Sequence, residues 1–338
     1  MEQSKEIQTF ILKNITKHHD DIVSFTAKKL QIARTTVLRH LKHLIKDNKI
    51  LKTGTTRNIC YVVPDDNKIT ATFKLQDPLD EFNIVKNYFN KILSPLNKNV
   101  YDICEYGLTE IINNAIDHSY GNNLTIEALN QNNEISLTIA DDGIGAFKRI
   151  ADLLKASDLR EAVLQLTKGK FTSDPYNHTG EGIFFTSRIF DEFKLIANNL
   201  CFTRFNPEND WFLEQLETKK GTTVSLKITA NACKNIKELF VAFQDPESHE
   251  FNKTEIIVAL SKFGEERYIS RSQAKRILRN LEKFKIITLD FKDIRIVGQG
   301  FVDEIFRVFK NYHTNITINY INANEDVLFM INRSNHIK

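Results

Sequence analysis

"TEIINNAIDHSYG", residues 109–121, is the stretch on which the reading of this chain turns. Advancing about 100° per residue from Glu110 places Glu110, Asn113, Asn114, Asp117 and His118 within roughly 140° of arc. Cys104, Leu108, Ile111, Ile112, Ala115 and Ile116 take the opposite side. The spacing predicts a helix with one face in a core and the other lining something polar. A surface helix would carry Lys and Glu outward. Two amides, two carboxylates and an imidazole point to a site instead.

Downstream, "ADDGIGAF" (140–147) ends a predicted strand at Asp141 and sets Gly143 and Gly145 at DxGxG spacing. Glycines there let the backbone turn sharply and approach a flat ligand. A carboxylate at a strand end can accept from an exocyclic amine and so select adenine. "HTGEGIFF" (178–185) puts Gly180 and Gly182 before a predicted helix, an arrangement that presents N–H groups to phosphates. "GTTV" (221–224) sets Gly221 and Thr222 at the start of a predicted strand. "NLTIEALNQNNEISLTIAD" (123–141) reads as paired strands around the "NQNN" turn, since Ile135, Leu137 and Ile139 alternate with polar or small residues.

Together and in this order, these pieces resemble the ATP-binding fold shared by DNA gyrase, sensor histidine kinases and mismatch-repair ATPases, usually called GHKL. The resemblance implies ATP and Mg²⁺ as cofactors. It makes Asn114 the magnesium ligand and Glu110 the catalytic residue that positions or activates the attacking group. Asp141 would hold the adenine amine, supported by Thr222, while Gly143, Gly145, Gly180 and Gly182 would shape pocket and lid. Asn113 and Asp117 would line the site or support it. His118 would touch phosphate or pack at the helix end. Lys170, with Lys168, falls in the expected lid, 146–179, where it would reach the γ-phosphate or stay solvated. Glu110 stands where sensor histidine kinases have Asn, which favours ATPases and anti-sigma serine kinases, because water or a hydroxyl needs a proton acceptor.

Charge separates the ends of the chain. Residues 1–63 hold 12 Lys/Arg against 5 Asp/Glu, a net of +7; with +3 overall, the remainder carries −4. Such asymmetry points to nucleic acid. "TAKKLQIARTTVLRHLKHLIKDNKILKTGTTRNICYVV" (26–63) has the order helix, turn, helix, hairpin, with the helices broken near "QIAR" and the hairpin turning at Thr53-Gly54. Ile32, Val37, Leu38, Leu41, Leu44 and Ile45 keep one face apolar. This resembles a winged helix-turn-helix. In such folds the second helix enters the major groove and the wing rests on phosphate. The resemblance implies DNA contact through Arg34, Thr35, Thr36, Arg39, His40 and His43, with Arg57 and Lys52 on the wing. Protein contact by the same unit is the alternative.

Toward the end, "FKIITLDFKDIRIVGQGFVDEIFRVF" (284–309) resembles the STAS fold of anti-sigma-factor antagonists. Antagonists of the phosphorylated type place a Ser before the helix; here stands Gly298-Gln299-Gly300, with no phosphoacceptor. Asp303 and Glu304 read as solvated or helix-dipole charges.

Cys60, Cys104, Cys201 and Cys233 are scattered and read as reduced, buried thiols. No signal peptide and no apolar run near the length of a membrane span is present in the sequence, so a cytoplasmic protein without membrane attachment is expected. The fold class expected is α+β multidomain: a winged helix (1–66), a GHKL α/β sandwich of mixed sheet with helices on one face (70–230), and a small STAS-like α/β domain (235–338). The function expected is an ATP-binding, slowly hydrolysing switch that binds DNA and regulates transcription. Alternatives are an anti-sigma-type serine/threonine kinase with a separate protein partner, or a non-hydrolysing ATP sensor in a stress or defence module. A protein partner for the STAS-like domain is expected, and a homodimer stays open.

Overall fold

The computed structural model describes residues 2–18, 20–47, 49–55, 58–62, 67–172, 179–261 and 268–335. The chain divides into two compact units, Met1–Ile69 and Thr70–Lys338.

The first unit holds α1 (Glu2–Asn14), α2 (Ile22–Leu30), α3 (Arg34–Lys46) and a hairpin of β1 (Leu51–Thr55) with β2 (Asn58–Val62). Ile7 and Ile11 on α1, and Ile15 just after it, recur at helical spacing and are buried with Ile22, Val37, Leu41, Leu44 and Ile50. Each such side chain contributes about 1.5–3 kcal/mol when fully buried. Gln31, at φ 52°, closes α2 in the left-handed conformation, which puts the break at "QIAR". Thr53 and Gly54 do not form the hairpin turn. They pair with Cys60 and Ile59 inside the ladder, which continues to Thr55 and Asn58; residues 56–57 lie outside the described residues.

β3 (Lys68–Lys74), all but its first two residues in the second unit, leads into α4 (Glu81–Ile84), a π-helical turn, and α5 (Asn90–Leu93). Then comes α6 (Lys98–His118), started by Asn97, whose side chain accepts from Val100 N at 2.9 Å. β4 (Asn123–Gln131) and β5 (Glu134–Asp141) are joined through Asn132 and Asn133, both at positive φ (53° and 62°), a turn whose twist suits a two-residue hairpin. After α7 (Ala146–Leu154), α8 (Leu159–Lys168) and α9 (Gly182–Ile189), a long hairpin of β6 (Glu192–Phe205) and β7 (Asp210–Thr229) completes a five-stranded sheet in the order β3-β4-β5-β7-β6. The pairs β4–β5, β5–β7 and β6–β7 are antiparallel. A mixed sheet was expected; in β4–β5 and β6–β7 the connections 132–133 and 206–209 are too short for a parallel crossover, while β5 and β7 are antiparallel across a long connection. One face buries Ile126, Leu137, Ile139, Val224, Leu226 and Leu195, and α6 packs on this sheet.

The remainder comprises α10 (Ile236–Phe243), β8 (Lys253–Ile257), α11 (Arg271–Leu278), β9 (Ile286–Asp290) and α12 (Gln299–Asp303). A π-helical turn then leads to α13 (Lys310–Tyr312), β10 (Thr317–Ile321) and α14 (Glu325–Asn335). β8, β9 and β10 form a parallel sheet in the order β10-β9-β8. Phe184 and Phe185 on α9 meet Phe240, Phe243 and Phe251, with ring centroids 4.7 Å apart for Phe184–Phe251 and for Phe185–Phe240. The sheet region and the C-terminal region therefore share core within this unit. Cys104 and Cys201 are buried as expected, but Cys60 is half-buried and Cys233 exposed; none of the four is in a disulfide. Among the described residues no helix is long and apolar enough to cross a membrane.

Candidate functional site

A cavity of about 320 Å³ opens between the polar face of α6, the end of β5, α7 and the start of α9. From α6, Glu110, Asn113, Asn114 and His118 line it. The Asn114 side-chain amide donates to the Glu110 carbonyl at 2.7 Å, so Oδ1 is the atom Asn114 offers to a ligand. The Glu110 carboxylate lies hard against Gly182: a Cβ there would sit 1.9 Å from Oε2.

Asp141 closes β5. Its Oδ1 accepts from Gly143 N at 2.8 Å and Thr222 N at 3.2 Å. Burial pushes this carboxyl up from its ordinary pKa, and those donors pull it back. The Thr222 hydroxyl accepts from Ala146 N at 3.0 Å, tying the strand to the first turn of α7. Next door, Asp142 faces away and accepts from Asn122 N, Asn123 N and the Asn123 side chain, which holds it down at about 2. Ile111, Ile139, Ile150, Leu166, Leu195 and Val224 complete an apolar lining. Carboxylates over apolar walls suit a planar ligand with a polar edge.

Gly180 and Gly182 also line the cavity, as does Thr222, although Thr222 lies within β7 and not at a strand start. Gly221, at φ +78°, sits there beside an irregularity in the β6–β7 ladder. Gly143 and Gly145 shape the loop without lining the cavity, and Asp117 is exposed beyond it. Lys170 is turned away: its amine donates to Lys283 O at 3.2 Å and lies 5.2 Å from the Phe284 ring. Lys168 is buried, not solvated. Both lysines are drawn to carbonyls and rings of the C-terminal region. Residues 173–178 of the expected lid lie outside the described residues.

Sequence reasoning missed Arg149 and Glu181, which both line the cavity. Arg149 sits 4.6 Å over the Tyr120 ring. Its signal was the spacing Ala146, Arg149, Ile150, Leu153 on one side of α7. Glu181 lies between the two glycines, and burial raises its pKa against the pull of Lys170.

On α3, Arg34, Thr35, Arg39 and His43 are exposed and Thr36 half-buried. His40 is not on that surface. It is 6% exposed, and burial, with Arg39 and His43 nearby, lowers its pKa. It stands about 40° from buried Leu44 on the helical wheel. Leu38, assigned to the core face, is 40% exposed. Lys52 is exposed, and Arg57 lies outside the described residues.

Asp303 and Glu304 are buried and paired, not solvated. Asp303 binds Arg307 at 2.8 Å and Arg271 at 2.9 Å, and the Arg307 hydrogen bonds hold its carboxyl below the ordinary range. Glu304 lies 3.9 Å from Lys275. The parallel sheet β8–β10 with its helices is the setting for a family match: the model of a STAS-like domain of unknown function (DUF4325) matches residues 273–328. This segment is a STAS-like domain. It runs from α11 into α14, and Gly298-Gln299-Gly300 opens its helix α12. β8 precedes the matched residues yet pairs with β9 inside the same sheet. No curated protein matches the chain.

Proposed function

We propose that residues 70–230 are a GHKL-type domain that binds ATP with Mg²⁺, and that the N-terminal unit is a winged helix that binds DNA. The chain is then a nucleotide-dependent regulator of transcription. The observation that carries the nucleotide reading is one cavity holding both the strand-end carboxylate Asp141 and the Glu110/Asn114 face of α6. Asp141 would accept from the adenine amine, and Oδ1 of Asn114 would ligate the metal. Gly182, lacking a side chain where it meets Glu110, lets backbone come close to phosphate. Bound Mg²⁺ would supply charge neutralisation at the phosphates. Glu110 would take the proton from the attacking water or hydroxyl.

Calorimetry of the full chain with ATP and MgCl₂ tests this. Uptake is expected, lost in Asp141→Asn. Glu110→Gln should keep uptake and lose turnover; no uptake by well-folded chain overturns the reading. The same carboxylate supports a protein-kinase reading, since it serves a hydroxyl as well as water. Stable label on a partner protein from γ-labelled ATP would favour the kinase, and free phosphate alone the ATPase. Biological output that survives Glu110→Gln, with ATP binding intact and turnover lost, would point to a non-hydrolysing sensor.

DNA binding is supported by the net +7 of residues 1–63 and by the exposed Arg34, Arg39 and His43. Affinity for duplex DNA should fall steeply with salt. Arg34→Ala or Arg39→Ala should reduce the slope of log K against log salt by about 1 where the side chain meets phosphate. A slope unchanged in both would indicate a protein-contact unit.

A further inference from the structure

The STAS-like domain has no assigned role, but its contacts with the cavity wall suggest one. Every residue from Glu161 to Lys168 on α8 is buried, and Leu166 of that helix lines the cavity, followed by Phe171 and Thr172. On the other side of α8 lies the end of α11. Arg279 Nη1 reaches Glu161 Oε1 at 2.7 Å, while Nη2 donates to Leu154 O at 2.8 Å, the last residue of α7. Asn280 donates to Gln165 Oε1 at 3.2 Å. In return, the Lys168 amine donates to the carbonyls of Arg279 (2.9 Å) and Arg276 (3.3 Å) at the C-terminal end of α11, where a cation is favoured. Thr254 Oγ1 donates to Lys168 O at 2.7 Å. One arginine thus spans the two helices, α7 and α8, that supply Arg149, Ile150, Leu153 and Leu166 to the cavity.

We propose that the STAS-like domain is the internal regulator of the nucleotide cavity: the seating of Arg279 and Asn280 on α7 and α8, and occupation of the cavity, are one coupled equilibrium. This rests on the nucleotide reading above. The clasp pre-organises the wall, so seating raises affinity, and ligand in the cavity holds the clasp shut by reciprocity. Arg279 is suited to release. Its side chain is 41% exposed, so a competing acidic partner can reach it, whereas Lys168 is sealed in. A protein signal that pulls Arg279 off Glu161 is thereby read as loss of nucleotide.

The test uses the full chain, Mg·ATP as probe, and three variants checked for folding by circular dichroism. Arg279→Met and the milder Glu161→Gln break the clasp outside the cavity. Lys292→Met breaks the 3.0 Å pair with Asp210, another contact between the STAS-like domain and the sheet, without touching α7 or α8. Expected are affinities weakened about fivefold or more in the first two, an unchanged affinity in the third, and slower amide exchange at 271–283 in wild-type chain on adding Mg·ATP. Wild-type affinity in both clasp variants, with exchange at 271–283 indifferent to nucleotide, overturns the clasp alone. Absence of uptake by wild-type chain overturns the nucleotide reading, and this inference with it. Should Arg279→Met fail to fold, Glu161→Gln and the exchange measurement still decide.

Discussion

Gly221 carries two constraints at once. Its φ of +78° lies in the left-handed region, and an added Cβ would meet the Asp141 carbonyl oxygen at 1.9 Å. That oxygen and the next nearest atoms, Asp141 C and Asp142 Cα, are backbone and cannot swing aside. Gly221→Ala should therefore cost about 1–3 kcal/mol, read as a lowered Tm, and should displace Asp141 from its hydrogen bond to Thr222 N. Lys168 yields a prediction about pH. Burial lowers its pKa from 10.5 to about 7. Below about 7 folded and unfolded chains both carry the proton, and the cost of burying the charge is fully present. Between about 7 and 10.5 the unfolded chain holds a proton that the folded chain does not, so this residue makes stability rise with pH. Denaturant unfolding at pH 7 and pH 9 should show that slope reduced in Lys168→Met relative to wild type, whatever the variant's absolute stability.

Among the elements, the β4–β5 hairpin and α6 were legible because each keeps one period over its whole length. Asn132 and Asn133 hold the hairpin turn at positive φ, which a β-branched side chain opposes. Asn133→Val should cost about 1–2 kcal/mol in chemical denaturation, with no effect on the cavity. β6 and the first half of β7 were not legible. Glu192 to Ala197 of β6 do alternate in burial, but only over six residues; Leu200 to Arg204 are buried without alternation, and residues 214–220 of β7 are exposed without alternation, so the period of two on which a strand is recognised is lost over most of the hairpin. β8 escaped for the same reason as other strands of parallel sheets: Ile256, Ile257 and Val258 read as a short apolar run. His40 and Leu38 were exchanged in the reading of α3 because a helical wheel ranks faces by composition, whereas the packing of α1 and α2 decides where the boundary falls.

For the whole molecule, the shared aromatic core predicts the outcome of dividing the chain. Truncation after Ala230 should uncover Phe184, Phe185 and Lys168 and yield a fragment that binds hydrophobic dye and aggregates, while residues 1–69, with their own buried core, should give a dispersed NMR spectrum alone. A well-behaved, monomeric 70–230 fragment would contradict the first part. The sequence by itself determined the α+β elements with clear period, the polar face of α6, the strand-end Asp141, the glycines flanking Glu181 and the STAS-like segment. These depend on local spacing and on the backbone freedom of single residues. Only the tertiary structure decided that Arg149 and Glu181 join the cavity, that Asp117 and Lys170 stay out of it, and that Asp303, Glu304 and Lys168 are buried. A side chain's burial and charge partners are set by what packs against it from over a hundred residues away, as Arg279 does on Glu161, and such contacts leave no periodic trace in the chain.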